Sequence, residues 1–141
     1  MIDPLNRKIV NILLEDSRTP YVTIAEKINR SESTVRQRIS KLLEKGIIEK
    51  YTIQIDPAAL GYNSVAYIGL NVESPKLLKV LRDLKKVEGI VTISTTTGDY
   101  MILCEIWAED GVHLTKISEK IEEIDGVLEI RPSMILDKYY L

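Results

Sequence analysis

Leu5, Ile9, Ile12 and Leu13 recur at three- and four-residue steps, so they line one face of a helix. Asp3-Pro4 opens that helix with a capping side chain and a proline at the first helical position, and the helix is expected to stop near Asp16-Ser17, ahead of Pro20. A second short helix follows, with Val22, Ile24, Ala25 and Ile28 inward. Asn29-Arg30-Ser31 reads as a tight turn, because Asn tolerates a left-handed backbone and Ser31 can cap what comes next. The third helix is predicted over 32–45 and closed by Gly46. Residues 47–55 then read as a strand ended by Asp56-Pro57. Three short helices with a tight turn between the last two make a helix-turn-helix arrangement.

At about 100° per residue, Val35, Ile39, Leu42 and Leu43 of the third helix share an inward face. Ser33, Thr34, Gln37, Ser40 and Lys41 fall on the opposite side, with Arg36 and Arg38 on the flanks. Uncharged hydrogen-bonding side chains would face base edges there, with cations where phosphates run. A purely solvated face would carry Glu–Lys pairs, and no acid occurs between Glu32 and Glu44.

The second half repeats itself at an offset of 37 residues. Leu77, Val80, Leu84, Val87 and Gly89 correspond to Leu114, Ile117, Ile121, Ile124 and Gly126, and Ile90 and Ile93 to Val127 and Ile130. Each copy is an amphipathic helix, a glycine turn and a β-rich strand, preceded by a further strand at 64–72 or 100–108. The order is βαββαβ with a Gly98-Asp99 hairpin, a ferredoxin-like fold with two helices on one face of a four-stranded sheet. The fold class is therefore α+β: a helix-turn-helix domain over 1–50, a linking strand and hinge over 51–62, and the ferredoxin-like domain over 63–141. Tyr67 and Gly69 alternate with Ala66, Ile68 and Leu70, while Met101, Leu103 and Trp107 alternate with Ile102, Cys104 and Ile106. Both sheet faces are apolar, which implies sheet-to-sheet dimerisation and two recognition helices about a two-fold axis.

Composition narrows the classes. The chain has 141 residues, 45% of them hydrophobic and 28% charged, which fits a globular protein. The strongest apolar run, at 100–108, is broken by Glu105, and no basic-then-apolar leader opens the chain, so a non-membrane, cytoplasmic protein is expected. One cysteine, Cys104, can form neither an internal disulfide nor a zinc site, and His113 stands without ligand spacing around it. Residues 1–61 carry ten Lys/Arg against eight Asp/Glu, net +2, and residues 62–141 nine against thirteen, net −4. Within 17–41 the basic set is Arg18, Lys27, Arg30, Arg36, Arg38 and Lys41 against Glu26 and Glu32, as expected of a polyanion-binding module.

The order of motifs resembles the Lrp/AsnC (leucine-responsive, feast/famine) transcription regulators, archaeal type. The matching stretches are 16–20 (DSRTP), 31–39 (SESTVRQRI), 43–48 (LEKGII), Tyr51-Thr52, Ile55-Asp56-Pro57, Leu60-Gly61-Tyr62 and Thr97-Gly98-Asp99-Tyr100. One departure is Asn29-Arg30, where the family usually has Gly and an apolar residue; Arg30 there either disturbs packing or adds a phosphate contact. The resemblance implies a sequence-specific DNA-binding regulator, not an enzyme. It implies dimers that associate into tetramers or octamers, with a small amino acid bound between dimers and no other cofactor.

The effector segment is expected at Thr95, Thr96, Thr97, Gly98, Asp99, Tyr100 and Met101. Gly98 allows close approach to the backbone, turn N–H groups can hold a carboxylate, and Asp99 can pair with an ammonium group. On spacing alone this is an ordinary hairpin of β-favouring threonines. Thr115 and Glu119, four residues apart on the last helix, could reach the pocket from a neighbouring dimer, and Ser133 and Met134 on the last strand are further candidates. The DNA-contacting set is Ser33, Thr34, Arg36, Gln37, Arg38, Ser40 and Lys41, with Arg30 and Arg18. The alternative is a sirohaem-decarboxylase-like enzyme of the same architecture, which the single histidine disfavours.

Overall fold

Asp3 starts α1 (Pro4–Glu15): its carboxylate accepts the Leu5 N–H at 2.7 Å, and Pro4 occupies a position where no helical donor is lost. In the computed structural model, which describes residues 2–141, α2 (Tyr21–Ile28) and α3 (Glu32–Glu44) follow. Asn29 ends α2 at φ 55°, ψ 53°, the left-handed conformation expected of it. Ser31 then caps α3 by accepting the Thr34 N–H at 3.2 Å. Ile9, Leu13, Ile24, Ala25, Ile28, Val35 and Ile39 close the core of this unit.

Two residues expected inward lie outside. Val22 is 52% exposed because it stands about 200° around α2 from Ile24. Leu43 is 41% exposed, in the last turn of α3, where the buried face ends at Leu42. The linking strand expected over 47–55 is also not formed. Tyr51, Ile53 and Ile55 do alternate with Thr52 and Gln54, but residues 51–56 have no regular structure and Ile53 is 78% exposed. Alternation supplies only a propensity; a strand exists once a neighbour accepts its ladder, and no described residue does so here.

The chain divides into two compact units between residues 54 and 55. The second opens with a 3₁₀ turn at Pro57–Leu60. It continues as β1 (Ser64–Val72), α4 (Leu77–Leu84), β2 (Ile90–Thr95), β3 (Ile102–Ala108), α5 (Gly111–Glu122) and β4 (Val127–Met134). All pairings are antiparallel and the sheet order is β2-β3-β1-β4, the ferredoxin-like arrangement. Ala66, Ile68, Leu70, Ile102, Cys104 and Ile106 on one sheet face, with Val80, Leu84, Ile117 and Ile121 from the helices, form its core.

The internal repeat reaches the backbone: Gly89 and Gly126, equivalent positions, turn at φ +98° and +105°. A Cβ on Gly126 would meet Lys76 Cβ at 2.9 Å and Val80 Cγ2 at 3.1 Å, whereas one on Gly98 (φ +104°) meets nothing within 4 Å. Gly126→Ala should therefore cost about 2–4 kcal/mol, backbone strain plus overpacking, and Gly98→Ala only about 1–2 kcal/mol. Urea unfolding of the two variants separates these effects, and equal losses would refute the packing role of Gly126.

Candidate nucleic-acid interface and ligand segment

Burial of Val35, Ile39 and Leu42 decides which residues α3 presents to water: Ser33, Gln37, Ser40 and Lys41 are exposed and Thr34 is half-buried. Thr34, Gln37, Arg38 and Lys41 line a shallow groove of about 390 Å³ together with Asp3, Asn6, Leu42, Lys45 and Ile47. Lys45, the C-cap residue of α3 four positions beyond Lys41, is not in the contact set expected from the sequence.

The flanking cations are not unpaired, although no acid lies between Glu32 and Glu44. Arg36 binds Glu32 at 2.7 Å and lies over the Tyr21 ring at 5.5 Å. Arg38 Nη1 binds Asp3 Oδ2 at 2.9 Å and donates to Asn6 Oδ1 at 3.1 Å, and this bond holds the Asp3 carboxyl below its ordinary value. The acid that neutralises Arg38 comes from α1, thirty-five positions away, beyond any reading of one helix. Ser33 and Thr34 share hydroxyl contacts with the capping Ser31 at 3.1 and 2.9 Å. Among the described residues, Gln37, Ser40 and Lys41 make no side-chain hydrogen bond or ion pair. Arg30 donates to its neighbour's carbonyl, Asn29 O at 3.0 Å, and Arg18 stands exposed in the Asp16–Thr19 turn.

In the second unit, Thr95 ends β2 and residues 96–101 form the turn to β3. Thr96–Asp99 are exposed, Thr96 Oγ1 donates to Tyr100 O, and Gly98 is left-handed. Asn71 of β1, unnoticed in the sequence, clamps this turn. Its Nδ2 donates to Asp99 O at 3.0 Å, and its Oδ1 accepts the Met101 N–H at 3.2 Å. A polar residue in the otherwise apolar run of β1 was the available signal. The Tyr100 ring lies flat on Gly69, where a Cβ would approach it to 2.6 Å. Arg131 stands opposite Gly69 on β4, bound to Glu129 at 2.7 Å.

The other effector candidates lie apart from the turn. Ser133 and Met134 pair with Tyr67 and Ala66, three to five residues along β1 from Leu70–Asn71, roughly 10–16 Å away. Thr115 and Glu119 are exposed on α5; Thr115 Oγ1 donates to Gly111 O at 3.0 Å, and Glu119 borders a groove with His113, Lys116, Lys120 and Glu88. Among the described residues no hydrogen bond joins any of these four to the turn.

The sheet face away from the helices carries Val65, Tyr67, Met101, Leu103 and Trp107, all partly buried, with Tyr62 against Trp107 at 5.7 Å. Amid them stands a buried acid, Glu105, whose partner is Lys138 at 2.9 Å from beyond β4. Cys104 points the other way, into the core, where burial pushes its thiol up to about 11. Among the described residues no group of three His, Cys, Asp or Glu side chains could hold a metal. No helix there is long and apolar enough to cross a membrane.

Family models match both units: residues 2–49 fit a winged helix-turn-helix DNA-binding model and residues 65–140 the Lrp/AsnC ligand binding domain. The chain belongs to the Lrp/AsnC family. The HTH-type transcriptional regulator LrpA of Pyrococcus horikoshii is 45% identical over 139 residues, 98% of this chain and 99% of that protein. LrpA1 of Halobacterium salinarum is 33% identical over 93% of each. E. coli AsnC superposes with a TM-score of 0.85 at 26% identity, over all of this chain and 96% of the other. This Lrp/AsnC protein is accordingly a DNA-binding transcription regulator with a ligand-binding domain, and the enzyme alternative falls, since these relatives are regulators.

The Glu105–Lys138 pair yields a stability test. Lys138→Met strands a buried carboxylate and should cost about 1–2 kcal/mol. That is less than the ~3–5 kcal/mol of a fully buried pair, because the Lys138 side chain is 43% exposed. Adding Glu105→Gln should restore most of the loss. Glu105 holds Lys138 protonated above its ordinary 10.5, so the pair contributes fully below that pH and fades as pH rises through the raised value. The urea-midpoint gap between wild type and Lys138→Met should then stay constant from about pH 7 to about pH 10 and narrow above.

Proposed function

We propose that this regulator binds DNA as a homodimer on a two-fold-symmetric operator, and that a small amino acid bound at Thr95–Met101 tunes its assembly or DNA affinity. The observation that carries the reading is the outward strip of α3, where Gln37, Ser40 and Lys41 stand exposed and unengaged among the described residues. In this reading Ser33, Thr34, Gln37, Ser40 and Lys41 meet base edges in the major groove, while Arg36, Arg38, Arg30 and Arg18 meet phosphates. DNA binding needs no cofactor, and the place of action is the cytoplasm, where the DNA is.

The apolar sheet face around Tyr67, Leu103 and Trp107 supports a dimer, because an uncovered face of that kind favours burial against a copy of itself. A second copy would also offer a ladder to the unpaired 51–55 segment. Dimers then associate into tetramers or octamers, and the effector lies between dimers. The turn N–H groups around Gly98 take its carboxylate, Asp99 takes its ammonium group, and the Thr95–Thr97 hydroxyls complete the cradle. Thr115 and Glu119 come from a neighbouring dimer; their separation from the turn within one chain agrees with that division. Ser133 and Met134, also distant from the turn, would likewise serve a neighbour's pocket.

Gel-shift titration against promoter fragments and random duplex tests the DNA half. A preferred fragment should bind at least about a thousandfold more tightly, and Gln37→Ala should remove roughly 1–3 kcal/mol of that preference. No preference at any salt concentration would refute it. Thermal melting against the twenty amino acids tests the other half: at a hundredfold excess over Kd the effector should add about 2.7 kcal/mol to stability, and Asp99→Ala should abolish the shift.

A further inference from the structure

We propose that Asp3 is a built-in competitor for the DNA backbone: by pairing with Arg38 it suppresses sequence-independent binding and so sharpens discrimination between operator and random DNA. The inference rests on the reading of Arg38 as a DNA contact.

One terminal nitrogen of Arg38, Nη1, takes both internal acceptors, Asp3 Oδ2 at 2.9 Å and Asn6 Oδ1 at 3.1 Å. Nε and Nη2 make no hydrogen bond among the described residues. The guanidinium is therefore anchored at one corner, with its remaining edge available. Asp3 itself lies in the groove that Thr34, Gln37 and Lys41 line, so its negative charge stands among the side chains that approach DNA. Both partners are open to solvent, at 45% for Asp3 and 32% for Arg38. A phosphate can thus reach the pair without unfolding anything.

Attraction to random duplex is set by the cationic charge that replaces condensed counterions. A guanidinium already neutralised by a carboxylate adds almost nothing to that sum. It contributes only where an operator brings an acceptor within hydrogen-bonding reach of the free edge, since a directional bond survives cancellation of the net charge. The carboxylate has a second duty, because Asp3 Oδ1 caps α1 through Leu5 N at 2.7 Å. The two duties can be separated: asparagine caps a helix about as well as aspartate but carries no charge.

The experiment is a salt titration of full-length protein on random duplex and on its preferred promoter fragment, comparing wild type, Asp3→Asn, Arg38→Gln and the double variant. Asp3→Asn should steepen the random-duplex plot of log K against log salt by about 0.9 per bound chain. Affinity for random duplex should rise several-fold, the operator-to-random ratio should fall, and the melting temperature should stay within a few degrees. Arg38→Gln in the Asp3→Asn background should reverse the steepening. An unchanged slope, or weaker random binding, in Asp3→Asn would overturn the competitor role while leaving Arg38 as a DNA contact. If Arg38→Gln leaves slope and affinity unchanged in the Asp3→Asn background, Arg38 does not meet DNA, and the underlying reading falls with the inference.

Discussion

The side chains of α3 that face water are decided by the three that cannot. Val35, Ile39 and Leu42 are buried to within 1% of completely, and in a small core they cannot be exchanged for the opposite face without exposing all three. Orientation of α3 about its own axis is thereby settled, and the strip from Ser33 to Lys41 follows from it. The left-handed Asn29 and the Ser31 cap settle where α3 begins, and Arg38 ties it to the N-terminus of α1. The strip proposed to meet DNA therefore sits on a helix whose rotation, start and docking each have a separate physical cause.

The second unit applies the same logic to a sheet. Its helices cover one face, so the apolar residues of the other are left without helix cover, and a lone acid among them is tolerable only with a counter-charge. Lys138 supplies it. The turn proposed to hold the effector is likewise supported from outside itself: Asn71 satisfies the backbone at Asp99 and Met101, and Gly69 leaves room for the Tyr100 ring. A loop fixed by groups on β1 can present its N–H donors to a ligand in one arrangement.

Both units balance charge locally. Arg36 is paired within α3, to Glu32 four residues back, whereas Arg38 looks like a free cation until Asp3 at the start of α1 is included. Exposed ion pairs add little to stability, so on the proposed reading these pairs matter more for the charge that DNA would meet.

Periodicity, caps and glycines were sufficient for the helices of the first unit, the internal repeat and the βαββαβ order, because each depends on residues within a turn or a hairpin of one another. The Asn29 conformation and the matched left-handed Gly89 and Gly126 belong to the same local class. Three kinds of feature lay beyond that reach. Leu43 depended on where packing stops, which no single helix contains. The 47–55 segment had a strand's pattern but needed a neighbour's ladder to become one. The pairs Asp3–Arg38, Asn71–Met101 and Glu105–Lys138 join residues thirty or more positions apart, and polar contacts at such separations leave no periodic trace in a sequence. Local geometry is encoded locally; which distant charge answers which is decided only when the chain closes on itself.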